Sequence, residues 1–160
     1  MTQEKLNFEQ LLKAVDTNYQ AFTLDLHNYL LNNGCKATFE EKKTSILGSY
    51  KHTKSKKVVI NLLLKKDGLF VRIYGENATK YQKFLNTLPK EMVQSIANAT
   101  ICKRLVHNTC SPKCSGYDVT IGKERFQNCR YGGFEFLVTN ESSLSIKSFV
   151  ENEIKARTTV

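Results

Sequence analysis

The 160-residue chain has no tryptophan and only two prolines, Pro89 and Pro112. So few prolines exclude a Pro-rich linker, and no glycine-rich stretch, low-complexity run or internal repeat marks a domain boundary. No apolar run approaches the roughly 20 residues that span a bilayer. The longest, Val58 to Leu64, is interrupted by Asn61. The first ten residues are polar, contain two glutamates and lack the basic and apolar regions of a secretory signal. The expectation is a cytoplasmic chain with reduced thiols and no membrane partner. Phosphate-binding glycine loops, Gly-x-Ser-x-Gly and His-Glu-x-x-His are all missing. Tyr131-Gly132-Gly133-Phe134 is glycine-rich but leads into a strand pattern, so it reads as a turn. Acids are also scarce, at 15 against 24 Lys and Arg, for a net charge of +9.

What is present is enough for one globular domain spanning 1–160. Apolar residues make up 41%, including nine Phe and seven Tyr. The first part, 7–33, reads as helical. Asn7 is an N-cap residue, Asp16 or Thr17 offers a second N-cap, and Gly34 is suited to a left-handed C-terminal cap. Phe22, Leu26, Tyr29 and Leu30 lie on one helical stripe, with His27 at its boundary. Strands are expected over 35–75. Val58, Ile60, Leu62 and Leu64 alternate, and Val59 and Leu63 make the other face apolar too, as in a central strand covered on both sides. Asp67-Gly68 marks a hairpin turn. Helices follow over 77–98, with Asn77 as a cap and Pro89 opening a second segment. A cysteine loop over 101–116 precedes strands over 117–139. A C-terminal helix over 141–156, capped by Asn140, ends in a tail expected to fray from about Arg157. This order predicts an α+β two-layer domain: an antiparallel sheet of about five to seven strands with helices on one face.

Four of the five cysteines fall in one window, spaced Cys102-x7-Cys110-x3-Cys114-x14-Cys129. Clustered thiolates suit a tetrahedral zinc ion, with His107 as a substitute nitrogen ligand. Such a site would staple a loop that has little else to order it. The pattern lacks paired Cys-x2-Cys knuckles, so buried free thiols, a disulfide or a redox role stay open. A nucleophilic Cys110 with His107 is the enzymatic alternative, but no acid is placed to orient the imidazole. No catalytic residue is assigned. Cys35, opening a strand, reads as a small hydrophobe.

The string Cys102-Lys103-Arg104, Cys110, Cys114, Gly116-Tyr117-Asp118 and Cys129-Arg130 resembles a group of small uncharacterised bacterial proteins, a likeness expected to cover most of the chain. The resemblance implies that the cysteines act together. It implies no activity and no catalytic residue.

The segment from Lys36 to Lys66 holds nine lysines against Glu40 and Glu41, so it carries +7 of the net charge. Lys51, Lys54, Lys56, Lys57, Lys65 and Lys66 are candidate phosphate contacts, with Tyr50, Phe70 or Tyr74 available to stack on bases. The expectation places Lys65-Lys66 in the next turn but one after Lys54–Lys57; alternate turns share an edge of an antiparallel sheet, and strand order decides whether the two clusters meet. The opposing reading is that turn lysines deter aggregation and keep the domain soluble. The residue pattern therefore favours a non-enzymatic binding module with a structural zinc. A nucleic-acid-associated module working through the lysines is its rival, nucleic acid or an acidic protein being the partners the charge suits, and a reactive-cysteine enzyme is the weaker third reading.

Overall fold

The computed structural model describes residues 6–99, 101–102, 116–129 and 133–158. Two helices come first. Helix α1, Phe8–Ala14, is closed by a capping box in which Asn7 and Gln10 satisfy each other's backbone N–H. Helix α2, Thr17–Asn32, starts at Asp16, whose carboxylate accepts from Asn18 N at 2.9 Å. It ends at Asn33, and Gly34 follows at φ +84, a conformation costly for any side chain.

Four strands then run as consecutive hairpins: β1 (Cys35–Glu41), β2 (Ser45–His52), β3 (Lys57–Lys65) and β4 (Gly68–Ile73). A 3-10 turn (Ala78–Tyr81) and the short helices α3 (Gln82–Leu85) and α4 (Lys90–Ala97) follow. A hairpin of β5 (Tyr117–Ile121) and β6 (Glu124–Asn128) stands as its own two-stranded sheet, turning at Gly122. Strand β7 (Phe134–Leu137) returns to pair with β4, and helix α5 (Ser143–Thr158) ends the chain. The main sheet has the order β1-β2-β3-β4-β7 and is antiparallel throughout. The fold is α+β, with the strands divided between a five-stranded and a two-stranded sheet.

Register and period-two alternation sort the main sheet into two faces. One, the inner face, carries Tyr50, Ile60, Leu62, Val71, Ile73, Phe134 and Phe136, all essentially inaccessible. Each such side chain contributes about 1.5–3 kcal/mol by leaving water. His27 of α2 bonds Tyr50 here, and Phe149 of α5 lies against the rings of Phe134 and Phe136. Tyr117 of β5 stacks on Phe134 with ring centroids 4.8 Å apart. Helix α4 contributes Glu91, Met92 and Ser95 to a small cleft beside Phe136 and Leu137 of β7.

The strict alternation expected along β3 is broken. The β2–β3 register shifts between Tyr50 and Lys51, so Ile60 lies opposite Tyr50 but Val58 lies opposite Lys51. Val59 is the extra residue of a bulge and is fully buried, while Val58 turns to the face opposite Ile60. Two expected caps also fail. Asn77 makes no cap bond, because its amide is committed to Glu153. Asn140 is displaced by Thr139 and Ser142, whose hydroxyls close the turn before α5.

Candidate nucleic-acid interface

The outer face of the main sheet is where charge and aromatic surface meet. Strand β4 places Phe70 and Arg72 on it, and the next alternate residue, Tyr74, continues the row. All three are half-buried. Asn61 of β3 sits opposite Arg72 and donates to Tyr74 Oη at 3.2 Å, which fixes that ring on this face. Residues two apart along a strand are spaced about 6.6 Å, so Phe70 and Tyr74 are about 13 Å apart with a guanidinium between them. Cross-strand neighbours fill the remainder: Lys36 and Lys51 side by side, Thr38 beside Ser49, and Lys65 at the far end.

Two acids temper this surface, Glu40 of β1, which pairs with Lys42 Nζ at 3.2 Å, and Glu135 of β7. Glu135 of β7, opposite Arg72, accepts from Arg72 Nη2 at 2.8 Å and from Arg72 Nε at 3.2 Å, and pairs with Lys65 Nζ at 3.4 Å. Lys65 Nζ also lies 4.7 Å from the centre of the Phe70 ring. These contacts hold Phe70, Arg72 and Lys65 in one arrangement before any ligand arrives.

The six lysines do not form one ridge. Lys65-Lys66 lies in the turn immediately after β3, not in the next turn but one, so antiparallel pairing sends it to the opposite end of the sheet from Lys54–Lys56. Strand β3 separates the two groups by about 26 Å. At one end are Lys51, Lys54 and Lys56, with Lys56 at φ 60 in the turn, and Lys57, which pairs with Glu76 at 2.9 Å. At the other are Lys65 and Lys66, joined by Lys42 and Lys43 from the β1–β2 turn. Lys51, Lys54, Lys56 and Lys66 pair with no acid among the described residues. The aromatic row runs between these two basic ends. Lys65 and Lys66 also help line a cleft of about 580 Å³ at the lower end, with Asp16, Tyr19, Leu137 and Thr139.

Tyr50 is not available for stacking. It is fully buried on the inner face, and His27 Nδ1 lies 2.6 Å from its hydroxyl. His27 is itself stacked on Phe8 at 3.6 Å and is a core residue. Burial holds its imidazole below the usual value.

Of the proposed zinc ligands, Cys110, Cys114 and His107 lie outside the described residues. Cys102 is buried and Cys129 half-buried. An isolated antiparallel bridge joins Ile101 to Asn128, and Cys102 N donates to Gln127 O at 2.8 Å, so Cys102 lies opposite Gln127 and Cys129 follows two residues further along the partner segment. Cys129 also borders a polar pocket of about 390 Å³ with Arg72, Ser95, Asn98 and Glu135. Among the described residues no three His, Cys, Asp or Glu side chains form a metal-binding group. Cys35 is buried beneath the sheet edge, and burial pushes its thiol up to about 11, so it is no nucleophile near neutral pH.

The polar feature that sequence reasoning missed is a buried ion pair. Glu153 is fully inaccessible and accepts from Arg157 Nε at 2.7 Å, Tyr81 Oη at 2.6 Å, Asn77 N at 3.1 Å and Asn77 Nδ2 at 3.0 Å. Arg157 spends its other donors on the carbonyls of Lys57, Val58 and Tyr74. The C-terminal turn is therefore clamped to the sheet, and the fraying expected from Arg157 does not occur there. The only available signal was the i, i+4 spacing of Glu153 and Arg157 beside the apolar Val150 and Ile154. The clamp also positions the candidate surface, because two of its carbonyls belong to Val58 and Tyr74.

No protein-family model, curated protein or solved structure matches this chain. The resemblance drawn on the cysteine string therefore rests on the sequence alone.

Proposed function

We propose that the protein is a non-enzymatic binding module that takes single-stranded nucleic acid along the outer face of its five-stranded sheet. The observation that carries this reading is the row Phe70, Arg72, Tyr74, with basic turns at both of its ends. Aromatic rings stack on any base, and lysines at either end neutralise phosphates as the backbone enters and leaves. A track of about 26 Å accommodates about four nucleotides. The lysines give affinity without base reading, since bidentate recognition belongs to arginine and Arg72 is already engaged by Glu135.

Fluorescence anisotropy of a labelled single-stranded oligonucleotide tests the proposal. Binding should weaken about 5- to 150-fold in Phe70→Ala and in Tyr74→Ala, the range for loss of one stacked base. Lys54→Gln and Lys56→Gln should each flatten the log–log salt dependence by about 0.7. No binding at low salt, or aromatic variants that bind like the wild type, would reject it.

A second reading concerns stability rather than ligand. The bridge between Ile101 and Asn128, each next to a cysteine, supports the reading in which Cys102, Cys110, Cys114 and Cys129, or His107 in place of one thiolate, would hold one structural zinc. Elemental analysis of purified protein should then return close to one zinc per chain. Metal-free protein in which the thiols of Cys110, Cys114 and Cys129 titrate rapidly would reject that site.

A further inference from the structure

Strand β1 is the outermost strand at one edge of the main sheet, and no described strand pairs with its outer side. It has seven residues, no proline and no bulge. Long regular edges like this are templates for further pairing. Two bonds fix which of its backbone groups point outward. Lys42 N donates to Ser45 O at 2.7 Å and Thr53 N to Gly34 O at 3.0 Å, so the even-numbered residues of β1 spend their N–H and C=O on β2. The groups of Cys35, Ala37, Phe39 and Glu41 therefore face away from the sheet.

From this edge we infer that a second copy of the chain pairs with the first, β1 against β1 and antiparallel, about a two-fold axis at Thr38. The side chains choose both the occupant and the register. With Thr38 opposite its own copy, Lys36 of each protomer lies opposite Glu40 of the other, twice over, on the outer face. Ala37 lies opposite Phe39 on the inner face, and the pairs Cys35–Glu41 and Ala37–Phe39 are those whose backbone groups point outward. Outward donors then meet outward acceptors, for about eight new ladder bonds. Shifting the axis by one residue, to Ala37 or Phe39, sets Lys36 or Glu40 opposite Thr38 and forfeits both ion pairs. The strand is thus complementary to itself in one register, which is what a closed two-fold interface requires. Lys36, Thr38, Glu40 and Glu41 are all exposed, so no described segment occupies the site. The product is a continuous ten-stranded sheet whose two outer faces lie side by side. The inference stands on the strand alone and does not depend on the nucleic-acid reading.

Sedimentation equilibrium of the full chain across a concentration series is the test. The wild type should approach twice 18.3 kDa as concentration rises. Lys36→Glu alone and Glu40→Lys alone should each raise the dissociation constant at least about tenfold, because each turns both cross-strand pairs into like charges. The double variant carrying both changes should restore dimerisation, since it re-forms the pairs in the opposite sense. Ala37→Pro removes an outward N–H and should abolish pairing. The charge variants lie on the exposed strand, so they decide the matter even if the proline variant does not fold. A wild type that stays monomeric at every concentration overturns the inference, as does a dimer indifferent to both single reversals.

Discussion

Replacing Arg157 by alanine is expected to be among the most damaging single changes in this chain, although it lies in the last turn of α5. The substitution strips a fully buried carboxylate of its only cationic partner among the described residues, Arg157 Nε at 2.7 Å. It also leaves the carbonyls of Lys57, Val58 and Tyr74 without the donors they now receive. Breaking a buried ion pair from one side costs about 3–5 kcal/mol. That is a large share of the roughly 5–15 kcal/mol that holds a typical domain folded. For a chain of this size it corresponds to a fall in Tm of about 6–20 °C. Differential scanning calorimetry of Arg157→Ala beside the wild type provides the assay. The double variant Glu153→Leu/Arg157→Met removes both charges while keeping much of the volume, and should lose less than Arg157→Ala alone. A fall of less than about 2 °C in Arg157→Ala would refute the reasoning, because the clamp would then carry no net stabilisation.

Stability should also decline as pH falls from about 6.5 towards 5. His27 and His52 are both held below 6.5 by burial, and His52 further by Arg157 and Lys54. Above 6.5 both forms of the chain carry neutral imidazoles. Below it the unfolded chain takes up protons first, which favours unfolding. Thermal melts across this window should show a falling Tm that flattens partly in His27→Gln, and a Tm that rises on acidification would contradict the burial of these rings. Gly48→Ala should destabilise by about 1–3 kcal/mol in urea unfolding, because the new Cβ would lie 2.9 Å from Phe39 Cε1 and 3.4 Å from Leu11 Cδ1 in a packed aromatic cluster. A stabilised variant would mean that the Phe39 ring has room to move.

Local signals carried much of the fold. Asn7, Asp16 and Gly34 bound the first two helices where short-range chemistry places them, and the hairpin turns at 42–44 and 66–67 lie between the strands their patterns suggested. The errors arise where tertiary contacts outbid local preference. Asn77 has the composition of a cap, but its amide is claimed by Glu153 from 76 residues away. An i, i+4 Glu–Arg pair on a helix is read as a solvated surface pair, and here it is buried. The bulge at Val59 leaves no mark in an unbroken run of β-branched and aliphatic residues. At the candidate site the residue types were legible, but their grouping was not. Whether the lysines form one ridge depends on strand order, which is invisible to composition, and the face that Tyr50 shares or does not share with Phe70 and Tyr74 depends on register.

The most direct test of the account is an NMR titration of isotope-labelled protein with a short single-stranded oligonucleotide. Perturbed backbone resonances should cluster at Lys51, Lys54 and Lys56, along Phe70, Arg72 and Tyr74, and at Lys65 and Lys66, while those of Leu26, Phe149 and Ile154 stay unchanged. Perturbations centred on the helices, or none at saturating oligonucleotide, would contradict the assignment of the outer face as the binding surface.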